Sequence, residues 1–595
     1  MKKRGILILC LLALLFLVCG CSGESPYPTT DSTTDGMDTT LPPSFWDDQE
    51  DAVLEAHEDY CIRRKGLTLY HRENDEVVST QKFALPEPEI GTYYLIDSYV
   101  EFGGKSYVAI SKRGQDNITV LESKLCPIDL ESTALAYAGM ELPGAVHRSG
   151  TDGTTCYFTA NYILYSTDGT GYTELYPLSK AGIAGDEVVS IRADKDQIYF
   201  ETQTQTFTAP LQADMLPKRE TVILGICTAQ INEYFLGESV ASFNRTSQGY
   251  AIEVKSYDTV SDLNLAVLSG DIDLLASIDA LALNNYAQKG FLLPLEEIAP
   301  DLFEEGVLME NVVEALRYDG QCYYLTPSFS VTVALFENNR LRELPEIQSF
   351  EDLTVALDTL GDMFYHSFTN QQIMATLIAP LEYLLVDKKT NTANFESEAF
   401  LNALEYCDRF LQDPEQCLKG VLDGGFRFIP YWSLYSVERI PVLYSMNAEP
   451  KLSAVLIPQV PFDGPKNPVV SLEEALYAVL DTPEAAAAFL RYIMTDEAYQ
   501  QFLVEDKWTA LPVNATWCQK AVDIREADSP IEETQEQRQI FYDLLNRADT
   551  LGTSTKAIRD IIQEECQAYF AGDTTAEQCA SYIQNRVTIY LGELG

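Results

Sequence analysis

The hydrophobic pattern of this 595-residue chain changes character near residue 218, and that change limits the fold more than any single motif does. Before it, from about Ser44 to Pro217, short β-rich runs alternate with turn signals. Thr68-Leu69-Tyr70, Thr92-Tyr93-Tyr94-Leu95-Ile96, Ser106-Tyr107-Val108-Ala109-Ile110 and Ile118-Thr119-Val120-Leu121 come first. Thr155-Cys156-Tyr157-Phe158-Thr159, Ile163-Leu164-Tyr165-Ser166 and Ile198-Tyr199-Phe200 follow. Gly103-Gly104, Asp152-Gly153 and Asp168-Gly169-Thr170-Gly171 lie between them and favour tight turns. This texture fits propeller-like blades of about 40 residues, about four of them over this length. A small β-sandwich is the rival arrangement.

From Glu220 onward strand and helix patterns alternate, as in an α/β domain. Val222–Ile226, Ile252–Tyr257 and Asp271–Ala276 read as strands. Gln230–Arg245, Ser261–Leu268 and a segment closing at Gly290 read as the helices between them. Asn244 and Arg245, at the end of the first helix, read as solvated surface. Further helices are expected over about 351–363, 396–412, 483–493 and 496–504. Thr482-Pro483-Glu484 marks a helix start, with Thr as cap and Pro in the first turn. The chain closes on a helical hairpin. Ile558, Ile561, Ile562 and Tyr569 share one face of its first arm, and Gly572 stops that arm. Thr575 with Gln578 makes a capping box for the second arm. There Ala576, Cys579, Ala580, Ile583, Val587 and Tyr590 form the apolar stripe. Such a stripe is a packing device rather than chemistry.

The first residues bear on compartment. Met1-Lys2-Lys3-Arg4 is a positive stretch, and Gly5–Val18 is an apolar run too short to span a bilayer, so 1–20 reads as a signal peptide. The run ends in Val18-Cys19-Gly20-Cys21, which resembles a bacterial lipobox and makes Cys21 the expected lipidated residue. Residues 21–45, rich in Ser, Thr, Pro, Gly and Asp, then form a flexible tether. With a formal charge of −49, the surface repels phosphate backbones and anionic membranes, so nucleic acid is excluded as a partner class. Of the 13 Cys, none forms a C-x-x-C pair, so no zinc site or other metal is expected. Export permits disulfides. Cys566 and Cys579, on the two arms of the hairpin, are the one pair placed to meet. Buried free thiols are the plainer reading.

Four segments in order carry a family resemblance. They are "GDIDLLASIDALALNNYAQKGFLLPLEEI", "ALRYDGQCYYLTPSFS", "TPEAAAAFLRYIMTDEAYQQFLVEDKWTALPVN" and the closing "YFAGDTTAEQCASYIQNRVTIYL". Over about residues 220–595 the chain resembles the extracellular solute-binding proteins of bacterial ABC importers, the carbohydrate-binding class in particular. The last segment is similar to the tail of such lipoproteins from Gram-positive bacteria. The resemblance implies two α/β lobes joined by crossing strands, a periplasmic-binding-protein-like (Venus-flytrap) domain over 218–595 that closes on ligand by a hinge. It follows a smaller all-β domain over 46–217. The hairpin becomes a brace packed back on a lobe.

The resemblance also singles out ligand candidates. Neutral sugars are held by aromatic faces and by side chains that satisfy hydroxyls. Phe426–Tyr435 is the richest stretch, with Tyr431 and Trp432 foremost, since the whole chain has only four Trp. Tyr324 and Phe329 flank the segment leading into the crossing strands. Asp279 follows the third strand, at the carboxyl edge where open α/β sheets place their sites. A helix N-cap is an equal reading for it. Gln230, in the loop Cys227–Gln230, is the last candidate.

Catalytic signals are poor. The four His (His57, His71, His147 and His366) are scattered, and no G-x-S-x-G or P-loop occurs. The expectation is therefore a non-enzymatic, monomeric receptor without cofactor. It is lipid-anchored on the outer face of a Gram-positive cell membrane and takes a small solute, foremost a carbohydrate, to an ABC permease. The alternatives are a sensor or adhesion lipoprotein that reuses the binding fold and, more remotely, a surface glycosidase.

Overall fold

The computed structural model describes most of residues 53–337 and 368–594; the longer stretches outside that description are 1–52, 338–353, 359–367, 376–384, 414–427, 435–453 and 459–467. Contacts divide the chain into two units. One holds the residues up to Arg219 together with Leu236–Glu253, and the other holds Glu220–Phe235 and Val254–Gly595.

The first unit is a series of antiparallel meanders. β1 (Val53–Ala56), β2 (Tyr60–Arg63), β3 (Gly66–Glu73) and β4 (Glu76–Ala84) form the first sheet. β5 (Thr92–Phe102), β6 (Lys105–Gly114), β7 (Val120–Pro127) and β8 (Met140–Glu141) form the second. β9 (Arg148–Thr151), β10 (Cys156–Ala160), β11 (Ile163–Thr167) and β12 (Tyr172–Pro177) form the third. β13 (Ser190–Ala193), β14 (Gln197–Glu201) and β15 (Thr206–Pro210) form the fourth. Among the described residues these are four small sheets, where a sandwich would have two.

Alternation along the strands explains how they stack. Successive side chains point to opposite faces of a sheet. Val108 and Ile110 therefore join Ile62, Leu67 and Phe83 of the first sheet in one core cluster. Their neighbours Tyr107 and Ala109 face the other way, into a cluster with Cys156, Phe158 and Tyr165 of the third sheet. Tyr157 and Leu164 then pack with Ile191, Ile198 and Phe200 of the fourth. The second and third sheets are apolar on both faces because each serves two cores. The third and fourth sheets share a turn device as well. Asp152 accepts from the Thr154 and Thr155 amides and, at 3.3 Å, from the Tyr157 hydroxyl. Asp194 accepts from the Asp196 and Gln197 amides and, at 2.8 Å, from the Tyr199 hydroxyl.

Helix α1 (Glu233–Thr246) overturns one expectation. Asn244 is not solvated surface: it is buried and fully engaged. Its Nδ2 donates to the Ser179 and Ile252 carbonyls, both at 2.8 Å, and its Oδ1 accepts from the Ile252 amide at 2.7 Å. A side chain that satisfies two backbone segments at once is protected from water. Arg245 is exposed, yet its guanidinium lies over the Phe207 ring and its Nε donates to the Gly182 carbonyl.

The second unit carries two mixed sheets. The first has the order β17 (Tyr250–Tyr257), β16 (Glu220–Cys227), β18 (Leu274–Ser277), β26 (Leu476–Val479), β19 (Tyr324–Leu325). β16 and β18 are parallel, as a crossover through α2 (Val260–Ser269) requires. Thr259 caps α2 through the Asp262 amide, and Gly270, at φ 72°, ends it. The second sheet has the order β23 (Phe428–Leu434), β20 (Ser328–Glu337), β25 (Val469–Leu472), β28 (Thr550–Leu551). β24 (Ala454–Pro458) and β27 (Leu511–Pro512) also pair with β20. The chain passes from the first sheet to the second at Thr326-Pro327 and back between Leu472 and Leu476. These are the two α/β halves with crossing strands.

Helix α3 (Ala280–Gln288) follows β18, and α4 (Glu398–Cys407) lies beyond β20. Pro483 opens α5 (Pro483–Thr495) as its sequence signals, but Thr482 sits at φ 49° and its side chain makes no cap bond. The Asp481 carboxylate instead accepts from the Thr482 amide. The closing hairpin forms as its pattern dictates, with α6 (Lys556–Phe570), Gly572 at φ 80° and α7 (Ala576–Leu594). The capping box is complete, since Thr575 N donates to Gln578 Oε1 and Gln578 N to Thr575 Oγ1. Ile558, Ile562, Cys566 and Phe570 are buried with Cys579, Ile583, Val587 and Leu591. Each large aliphatic side chain so buried contributes about 1.5–3 kcal/mol. The hairpin is tied to the β-ribbon of β21 (Val386–Asp387) and β22 (Thr392–Ala393) by Gln584, whose Nε2 donates to the Ala393 carbonyl and whose Oε1 accepts from the Phe395 amide.

Candidate binding site

The carboxyl end of β18 and the crossing segment after β19 converge on one strand. Ser277 lies opposite Leu476 on one side of β26, and Leu325 lies opposite Tyr477 on the other. The chain emerges there as Ser277-Ile278-Asp279 and as Thr326-Pro327-Ser328. Of the sequence candidates, Asp279, Tyr324 and Phe329 are thus carried to the same edge.

Their geometry is that of a tightly bonded interior. Asp279 is buried, and its Oδ1 accepts from the Leu281 and Ala282 amides at 3.0 and 3.2 Å. The N-cap reading of this residue holds, and the carboxylate sits at the positive end of α3. The Thr555 hydroxyl, just ahead of α6, also donates to that oxygen. Tyr324 is buried, and its hydroxyl donates to Asn284 Oδ1 at 2.8 Å. Burial pushes the Tyr324 phenol well above its ordinary range, so it stays protonated and serves as a donor. Phe329 is fully buried, opposite Leu472 on one side and Leu511 on the other. Thr326 Oγ1 donates to the Ser328 carbonyl, Val513 N donates to the Pro327 carbonyl, and the Thr332 and Ser471 hydroxyls meet at 2.5 Å.

Trp432 occupies β23 opposite Val333, beside the strand that continues the crossing segment. Tyr431 precedes it on β23, and for both residues only the backbone is described. Gln230 and Cys21 lie outside the described residues, as do Thr228 and Ala229. Cys227 is the buried last residue of β16. Asn284 and Thr555 were not anticipated. The pair Asn284-Asn285 inside an otherwise apolar helix was a usable signal, whereas Thr555 carries no local signal at all.

The carboxylate, amide and hydroxyls described at this edge are hydrogen-bonded within the protein. Among the described residues no group of three His, Cys, Asp or Glu is placed to hold a metal, and no helix is long and apolar enough to cross a membrane.

The sequence profile of the bacterial extracellular solute-binding protein family matches residues 238–519. No curated protein matches the chain. Among solved structures, a Thermotoga lettingae ABC transporter solute-binding protein bound with α-D-tagatose is 18% identical, with a TM-score of 0.39. The alignment covers 63% of this chain and 100% of that one. A Listeria monocytogenes ABC substrate-binding protein in complex with cycloalternan is 14% identical, at 0.40, with 63% and 100% covered. The sugar-binding protein MalE of Xanthomonas citri is 14% identical, at 0.42, with 63% and 98% covered. Residues 238–519 are thus similar to the bacterial extracellular solute-binding proteins.

Proposed function

We propose that this chain is a lipid-anchored extracellular receptor that captures a small solute, foremost an oligosaccharide, and delivers it to an ABC importer. The family match over residues 238–519 is the observation that carries the reading. The carbohydrate class is supported by the resemblance of four ordered segments to that branch and by the aromatic run Phe426–Tyr435. On this reading residues 218–595 are the solute-binding domain, acting as a monomer on a Gram-positive surface, with Cys21 bearing the lipid and 21–45 as the tether. Solute lies between the two α/β halves, with Trp432, Tyr431 and Gln230 as its proposed contacts, while the buried Asp279, Tyr324 and Phe329 support the crossing segment beside it.

A thermal-shift screen of the form starting at Ser22 tests it, with mono- and oligosaccharides against amino acids, short peptides and polyamines. A ligand at about 100 times its dissociation constant adds about 2.7 kcal/mol of stability. A hit among sugars supports the proposal. A hit only among the controls keeps the receptor and discards the sugar. One observation favours a second reading, a sensor or adhesion protein: the four-sheet unit adds a large surface that solute capture does not need. Propeller-like blades suit such a role, and silence across the whole screen would favour it.

A further inference from the structure

The two arms of the closing hairpin bring Cys566 and Cys579 face to face. Their sulfurs lie 4.0 Å apart, both side chains are buried, and both are free thiols. The residues are 13 positions apart, joined by the turn at Gly572, and each sits in the apolar seam of its helix. Two thiols facing each other across one antiparallel helix pair, on a chain similar to an extracellular family, have the proximity and the compartment that a bridge needs.

We propose that Cys566 and Cys579 are a disulfide site, closed on the exported protein to staple the hairpin. The staple goes beyond solute binding and does not depend on it. The oxidant is a small or protein-borne disulfide. One cysteine thiolate attacks it, forming a mixed disulfide and expelling one thiolate. The second cysteine thiolate then attacks the protein sulfur of that mixed disulfide and expels the other. Two electrons pass from the protein to the oxidant, and the two thiol protons end on the departing thiolates.

Timing follows from burial. The mutual hydrogen bond and the apolar surroundings hold Cys566 as a thiol, so the folded hairpin reacts poorly. The bridge therefore closes while the arms are still coming together, and it is then shielded from reductants. Cys407, buried on the neighbouring α4, is the competing partner.

The test refolds the reduced full-length secreted chain in a glutathione/glutathione-disulfide series, traps thiols with iodoacetamide and maps the peptides. Glu577 lies between the two cysteines and no Lys or Arg does, so a glutamyl endopeptidase separates them where trypsin does not. The expected result is a peptide pair linked through Cys566 and Cys579 and an intact mass lower by two hydrogens. The melting temperature of the oxidised form should fall when dithiothreitol is added. The double variant Cys566→Ser, Cys579→Ser should lack that response. Full alkylation of both cysteines at the oxidising end of the series, or linkage of either to Cys407, overturns the proposal.

Discussion

Asp279 and Thr555 meet across 276 positions of sequence: the Thr555 hydroxyl donates to Asp279 Oδ1 at 3.4 Å, and the same oxygen caps α3. The start of the closing hairpin is thereby tied to the end of β18, at the edge where the chain leaves the first sheet of the second unit. The hairpin is a brace for the crossing region as well as for the β-ribbon it packs on.

Asp279→Ala removes the cap and leaves the buried Leu281 and Ala282 amides without their acceptor. A lost cap of this kind costs about 0.5–2 kcal/mol. Asp279→Asn keeps an acceptor oxygen and should recover most of that. Urea unfolding of the two variants measures it, the Ala form showing the lower midpoint at an unchanged slope.

Trp432→Ala probes the proposed binding surface. An aromatic face stacked on a flat ligand is worth about 1–3 kcal/mol, about a factor of 10 in affinity per 1.4 kcal/mol. Isothermal titration with whichever sugar raises the melting temperature should show that loss. An unchanged affinity with a lowered melting temperature would place Trp432 in the core instead.

The closing hairpin was legible in its turn, its cap and most of its seam because local rules decide them, although Phe570 and Leu591 rather than Tyr569 and Tyr590 are the buried residues at its ends. Period, Gly572 and the Thr575/Gln578 box all act within one or two turns. The strands of the first unit were legible for the same reason, through alternation and turn residues. Asn244 was misread because its partners, Ser179 and Ile252, come from elsewhere in the chain and no local pattern announces them. Asp279 was read as cap or ligand group because both roles want an acidic residue after a strand. Only the Leu281 and Ala282 amides identify the cap.

Asn244→Ala should be among the most damaging single changes in the first unit. It leaves the Ser179 and Ile252 carbonyls and the Ile252 amide without their partner. A buried polar group so stranded costs about 1–3 kcal/mol. A melting experiment should show a clear fall, while Thr246→Ala, on the exposed end of the same helix, should change little.

The turn carboxylates give the first unit an acid-side weakness. Burial raises the Asp152 pKa, but the Thr155 and Thr154 amides, the Thr154 hydroxyl and the Tyr157 hydroxyl outweigh it and bring it below the usual carboxylate range. The Asp196 amide and the Tyr199 hydroxyl, foremost among its partners, do the same for Asp194. A lowered folded-state value means that the unfolded chain binds more protons as the pH falls. The stabilisation is therefore complete above the ordinary carboxylate pKa and is lost as the pH drops through the lower folded values. Circular dichroism across an acid titration should show a shallower decline for Asp152→Asn, Asp194→Asn than for the natural chain, from a lower starting stability at neutral pH.

Gly150 tests how closely the third and fourth sheets approach. It lies on β9, and a Cβ built on it would stand 2.0 Å from the Ile191 carbonyl oxygen of β13. That oxygen belongs to backbone, so no side-chain rotation relieves the clash, and the two strands must move apart. Their separation would open the cluster in which Ile191 packs with Tyr157, Leu164 and Phe200. Overpacking of this kind costs typically about 1–3 kcal/mol, and more where backbone must yield. Gly150→Ala should therefore unfold the first unit at a markedly lower temperature. Gly171→Ala, whose Cβ would meet nothing within 4 Å, is the matched control. Equal melting of the two variants would show that β9 and β13 do not make this approach in solution.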